Sequence, residues 1–188
     1  MTRIVAGAAG GRRLQVPPRG TRPTSDRVRE ALFSSLEALV DLDGATVLDL
    51  YAGSGALGFE ALSRGATKAT FVESDKRAAE VLKTNAKTVA LPGATVLNRT
   101  AEAVVATAPD EPCDVVFADP PYAVTDEQLN RLLESLVTRG WTKPGSLIIV
   151  ERGARSPEPI WPSAVESLRS KRYGDTALHW AEHVDATG

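Results

Sequence analysis

The sequence predicts an α/β protein with a mostly parallel, Rossmann-like sheet, an antiparallel last strand and a small N-terminal β-hairpin arm. Three observations predict it. Five short apolar runs alternate with segments of helical periodicity, and strands alternating with helices pair in parallel through right-handed crossovers. Gly53-x-Gly55-x-x-Gly58 follows the first run and opens a helix, as nucleotide-binding βα turns do. The rhythm then changes near the C-terminus, where Val165–Tyr173 and Thr176–Val184 flank Gly174-Asp175 as a hairpin.

Taken in order, Arg3–Gly7 and Arg12–Val16 read as two short strands around the turn-rich Gly7–Gly11. Thr24 or Ser25 caps a helix with apolar positions Val28, Ala31, Leu32, Leu36, Leu39 and Val40. Ala45–Leu50 is a buried strand, and the helix after the glycine turn ends near Gly65. Ala69–Val72 is the next strand. Asp75 caps a helix whose apolar stripe is Ala78, Val81, Leu82, Ala86 and Val89. Thr95–Leu97, a short helix over Ala101–Ala108, and Asp114–Ala118 follow. Asp126–Arg139 is an amphipathic helix stopped by Gly140, and Ser146–Val150 is the fifth strand.

A chain of 188 residues is one domain with a substantial core, here expected as an arm over residues 1–24 and a main domain over 25–188. No apolar run approaches the ~20 residues of a membrane span, and Met1-Thr2-Arg3-Ile4 lacks a signal-peptide core. Cytoplasm is the expected compartment. A single cysteine, Cys113, excludes an internal disulfide, and two histidines make a zinc-type cluster implausible.

Charge is unevenly spread. Residues 1–30 hold seven arginines (Arg3, Arg12, Arg13, Arg19, Arg22, Arg27 and Arg29) against Asp26 and Glu30, a net +5, so the rest of this −2 chain carries −7. A basic end on an acidic body is the pattern of a localised anion-binding surface, and arginine favours fork-like phosphate contacts. Arg27 and Arg29 also lie in the first turn of their helix, where the dipole disfavours cations, which hints at an anionic partner.

Asp119-Pro120-Pro121-Tyr122 ends the fourth main strand. Two prolines give no N–H to a ladder, so the strand must stop there. What remains is an acceptor-rich, donor-poor corner beside an aromatic ring, suited to a ligand amine on a flat heterocycle. A rigid turn with a solvated Asp and a packed Tyr is the plainer alternative.

The glycine turn, with Glu73 twenty residues beyond Gly53, also satisfies the dinucleotide fingerprint. Two features argue against a nicotinamide enzyme. Asp49 at the strand tip would face the pyrophosphate with a negative charge, and no Lys, Arg or His within the turn offsets it. S-adenosylmethionine fits better: it has no phosphate, its ammonium suits Asp49, and its ribose hydroxyls can donate to Glu73.

With Asp49-Leu-Tyr-Ala-Gly-Ser-Gly55, Glu73 and Asp119-Pro-Pro-Tyr122 in place, the chain resembles the class I S-adenosylmethionine-dependent methyltransferases, and among them those that methylate exocyclic or amide nitrogens. The run Arg22-Pro-Thr-Ser-Asp-Arg-Val-Arg-Glu-Ala-Leu-Phe33 is similar to the RsmD family of bacterial small-subunit rRNA guanine-N2 methyltransferases. So are Arg3-Ile-Val-Ala-Gly7 and Tyr173-Gly-Asp-Thr176. The resemblance implies a seven-stranded sheet with the last strand inserted antiparallel. It implies cofactor contacts at Asp49, Ala52, Gly53, Ser54, Gly55, Glu73 and Ser74, and near Thr100 and Ala101. It further implies methylation of guanine N2 in 16S rRNA, at the guanine-966 position, with free rRNA, the small subunit or an assembly intermediate as partner. A monomer without metal or membrane is expected.

In that mechanism the Asp119 side chain and the Pro120 carbonyl accept both amine hydrogens and aim the nitrogen lone pair at the methyl. Pro121 stiffens the corner. The base is flipped out onto Tyr122, a gain of roughly 1–3 kcal/mol against an unstacking cost of a few kcal/mol. Binding is therefore driven elsewhere, by the seven arginines. A DNA amino-methyltransferase, a protein-glutamine methyltransferase and a non-enzymatic RNA-binding module are the alternatives. About 40 residues of arm leave little room for DNA target recognition, the glutamine enzymes prefer Asn where Asp119 stands, and a binding module leaves Asp119–Tyr122 without a purpose.

Overall fold

The structure, a computed structural model, describes residues 2–18 and 25–185, and the chain divides into two compact units at Arg99 and Thr100. In the first, β1 (Thr2–Arg3) and β2 (Arg13–Leu14) form a short antiparallel pair. There follow α1 (Asp26–Leu39), β3 (Thr46–Leu50), α2 (Ala56–Ser63), β4 (Lys68–Val72), α3 (Lys76–Val89) and β5 (Ala94–Leu97). The three longer strands run parallel in the order β5-β4-β3. The second unit holds α4 (Ala101–Val105), β6 (Cys113–Ala118), α5 (Asp126–Thr138), β7 (Thr142–Gly153), β8 (Val165–Tyr173) and β9 (Thr176–His183). Its order is β6-β7-β9-β8, with β6 and β7 parallel and β9 antiparallel to both neighbours. The seven longer strands belong to one mostly parallel sheet whose last strand is inserted antiparallel, as expected.

Each strand is where its residues send it. Val47, Leu48, Leu50, Phe71 and Val72 in one unit, and Val115–Ala118 and Ile148–Val150 in the other, are buried continuously rather than alternately. That is the pattern of strands covered on both faces. Ser25, Asp75 and Thr125 cap α1, α3 and α5, each accepting a bond from an N–H in the first turn.

Three expectations shift. The N-terminal strands pair over only two residues, because Val5 and Ala6 give their N–H groups to the Glu60 carboxylate on α2 (2.9 and 3.1 Å) instead of to a ladder. Gly7 then turns at φ 84°, and a Cβ there would meet the Ser63 carbonyl at 2.0 Å. The helix over 101–108 ends at Val105. Strand β7 reaches well past Ser146–Val150 on both sides, since Cys113 pairs with Thr142 and Glu151–Gly153 pair with β9. Pro144 and Gly145 lie within it, and the register shift between Cys113 and Val115 accommodates the extra residues.

Candidate functional site

In the first unit the predicted residues gather at the carboxyl ends of β3 and β4. This is where open α/β sheets bind ligands. Tyr51 (φ 58°), Gly53 (φ 59°) and Gly55 (φ 83°) give the turn three left-handed residues, which non-glycine Tyr51 adopts only under constraint. A Cβ on Gly55 would lie 2.5 Å from Phe59 and 2.6 Å from Leu82, and one on Gly58 would lie 2.3 Å from Phe71. Side chains at these two positions are excluded by the apolar core packed against the turn and the start of α2.

Glu73 is fixed by two backbone donors: Gly53 N–H reaches Oε1 and Asp75 N–H reaches Oε2, each at 2.9 Å. Two bonds occupy half of a carboxylate's acceptor sites, and the rest suit a vicinal diol. Ser74 is exposed beside it. Asn98, just beyond β5, donates to the Glu73 and Ser74 carbonyls (2.9 and 3.0 Å) and ties the two strand ends together. Asp49 is only 3% exposed. Burial pushes its carboxyl up to about 8, against the Gly58 N–H bond (3.1 Å), while the Glu73 charge adds to the rise. A buried carboxyl this reluctant to ionise fits a cationic ligand group, which would hold it charged. Ala52 and Ser54 lie in the turn itself, with Ala52 N–H on the Val72 carbonyl (3.0 Å).

In the second unit, Thr100 caps α4 by accepting from Ala103 N–H (3.1 Å), and the Ala101 side chain is buried, so Ala101 can offer a ligand only its backbone. Asp119 and Pro120 follow β6, with Asp119 half-buried and Pro120 buried, while Pro121 is exposed. Tyr122 is 96% exposed, a large ring left in solvent at a strand end. The loop after it is held twice. Val124 N–H bonds to the Pro121 carbonyl (3.0 Å), and Arg152 on β7 donates to the Val124 carbonyl (3.2 Å) and to Asp126 (2.8 Å).

Among the seven arginines, Arg3, Arg12, Arg13 and Arg27 are exposed. Arg3 pairs with Asp26 at 3.0 Å, and Arg12 reaches the Val89 carbonyl. Arg19 and Arg22 lie outside the described residues. Arg29 departs from expectation: its side chain is 0% exposed and bonds to Glu60 (3.2 Å), Asp26 (3.0 Å), Thr2 and the Arg3 carbonyl. The anions that offset the helix dipole at Arg29 are Glu60, from α2, and Asp26 in its own first turn, and its guanidinium is spent inside the fold rather than offered to a phosphate.

A cavity of about 480 Å³, lined by Glu37, Val40, Asp41 and Arg64, sits at the opposite end of β3 from Asp49 and contains none of the predicted residues. Sequence reasoning missed Asn85, Asn98 and Arg152. Asn85 left a signal, a polar residue inside the apolar stripe of α3; for the other two, partnership across strands is invisible in sequence. Among the described residues no helix is long and apolar enough to cross a membrane.

The family model described as Conserved hypothetical protein 95 matches residues 2–182. The Haemophilus influenzae protein called Ribosomal RNA small subunit methyltransferase D is 41% identical over 178 residues, covering 92% of this chain and 89% of that one. Its Escherichia coli K12 counterpart of the same name is 39% identical, covering 93% and 86%. A solved structure of the Escherichia coli protein yhhF superposes with a TM-score of 0.85 at 37% identity, covering 97% of this chain and 98% of that one.

Proposed function

We infer, from the premise that the chain belongs to the family described as Conserved hypothetical protein 95, the RsmD family, that it is an S-adenosylmethionine-dependent methyltransferase of ribosomal RNA. We further propose that it acts on the exocyclic N2 of a guanine in 16S rRNA, the guanine-966 position of the family resemblance, as a monomer on the small subunit or its precursor. The exposed Tyr122 ring directly after Asp119-Pro-Pro carries this reading. A bare aromatic next to a stiff acceptor corner costs solvation unless something stacks on it, and a flipped base does so.

S-adenosylmethionine, when bound, supplies an electrophilic methyl on a sulfonium. Asp49 would face its ammonium, Glu73 its ribose hydroxyls, and the Gly53–Gly55 backbone its methionine part. Thr100 and Ala101 would border its adenine. Asp119 and the Pro120 carbonyl accept the amine's hydrogens, which draws the nitrogen lone pair out of conjugation and aims it. Pro121 and the Arg152 contacts keep that corner from relaxing. Residues 1–24 form an RNA-binding arm on the main domain, and phosphates are met by Arg3, Arg12, Arg13 and Arg27, to which the charge of the sequence adds Arg19 and Arg22.

Labelled S-adenosylmethionine offered to small ribosomal subunits, naked rRNA, DNA and protein tests this, followed by nucleoside analysis. N2-methylguanosine in small-subunit RNA is the expected product. N6-methyladenine in DNA would overturn the assignment.

A further inference from the structure

Position 85 falls on the buried stripe of α3, three residues after Leu82 and four before Val89, where the helical pattern calls for an apolar side chain. Asparagine stands there instead, 1% exposed. Its amide is fully engaged. Oδ1 accepts from Gln15 N–H (2.8 Å), and Nδ2 donates to the Gln15 carbonyl (2.9 Å) and to the Ser54 carbonyl (2.9 Å). Asn85 thus pairs with the arm's backbone as a strand neighbour would, while its remaining hydrogen holds the glycine turn.

The Ser54 carbonyl and the Gly55 N–H belong to one peptide plane. Asn85 holds its oxygen, and the Ala52 carbonyl holds its hydrogen at 2.8 Å. A plane bonded at both ends cannot turn over, although glycine at φ 83° would otherwise tolerate either orientation. Freed from Asn85, the plane could rotate and aim the Ser54 oxygen away from α3, toward the side of the turn assigned above to the cofactor. Asn85 is itself oriented by Gln15.

We propose that Asn85 is a positioning residue for the cofactor turn, and that through it the backbone of the N-terminal arm is part of the cofactor site. The arm then has a duty that needs no RNA. This rests on the cofactor reading given above, and the experiment separates the two.

S-adenosylhomocysteine is titrated calorimetrically into the full chain without RNA. The samples are wild type, Asn85→Ala, Asn85→Asp, and Ile148→Val as a core control that loses stability away from the turn. Asp at 85 still accepts from Gln15 N–H but cannot, when ionised, hold Ser54. Both Asn85 variants are expected to bind about tenfold more weakly, the scale of one lost buried hydrogen bond, with Ile148→Val unchanged. In steady state the loss falls on KM for S-adenosylmethionine rather than on kcat. Should Asn85→Ala not fold, Asn85→Asp carries the test. Folded variants that bind as wild type does would overturn the inference and leave the cofactor reading standing; a wild-type chain that binds nothing would overturn both.

Discussion

Asp49 keeps its proton near neutral pH because burial outweighs the one N–H bond from Gly58. Its folded pKa of about 8 lies above the ordinary 3.8. Between those values the folded chain holds a proton that the unfolded chain has released, so stability falls as pH rises through the window. The loss is on the order of a few kcal/mol. Urea midpoints from pH 5 to 8 should therefore decline more steeply for wild type than for Asp49→Asn. Cofactor binding has the opposite slope: an ammonium favours ionised Asp49, so affinity should climb with pH until about 8 and then level. A flat affinity profile would refute the ammonium contact. At the other end of the chemistry, Asp119→Ala should reduce methyl transfer below detection while S-adenosylhomocysteine still binds; full activity would remove Asp119 from the mechanism.

At the scale of elements, α2 is a junction. Its first turn must lie close against β4, which is why Gly58 meets the Phe71 ring, itself packed at a tilt of 32° against Phe59 with 4.4 Å between centroids. Gly58→Ala should cost about 1–3 kcal/mol in chemical denaturation, the usual range for overpacking. The next turn presents Glu60, fully buried, to Arg29, to Arg64 (2.9 Å) and to the N–H groups of Val5 and Ala6. One carboxylate therefore fastens α1 and the arm to α2. Arg29→Ala leaves Glu60 with Arg64 and two N–H bonds but removes a buried guanidinium and empties its site. It should therefore cost about 3 kcal/mol, the low end for breaking a buried pair. Arg27→Ala, two residues away but in solvent, should stay within about 0.5 kcal/mol. Equal effects in thermal or urea unfolding would contradict this division of a single arginine run into structural and surface members.

For the molecule as a whole, the contrast between a +5 N-terminal segment and a −7 remainder matters most for association. Phosphate contacts by Arg3, Arg12 and Arg13 should make RNA binding salt-dependent, with each contact adding roughly 0.7 to the slope of log affinity against log salt. Replacing all three by alanine should flatten that slope by about 2 units; an unchanged slope would dismiss the arm. Much of this protein was legible in its residues. Alternating apolar runs with β-branched and aromatic side chains, polar N-caps and a hairpin turn leave few choices for local structure, so α1, α3, α5 and strands β3 to β6 stand within a residue or two of expectation. The glycine turn and Asp119–Tyr122 were visible for a related reason: glycine and proline restrict the backbone by themselves, whatever surrounds them. Partnership was not legible. Seven arginines look alike in a sequence, and only Glu60, brought in from a helix thirty residues on, makes Arg29 a buried strut. Asn85 passes unnoticed in the stripe of α3, because Gln15 and Ser54 reach its amide from two distant stretches. Most elements, the sheet's direction and the turn chemistry follow from the residues alone, since these depend on neighbours a few positions away. Tertiary structure alone decided which polar groups are spent holding the fold and which remain for a ligand, because a polar group's fate is set by whatever satisfies its hydrogen bonds once water has gone.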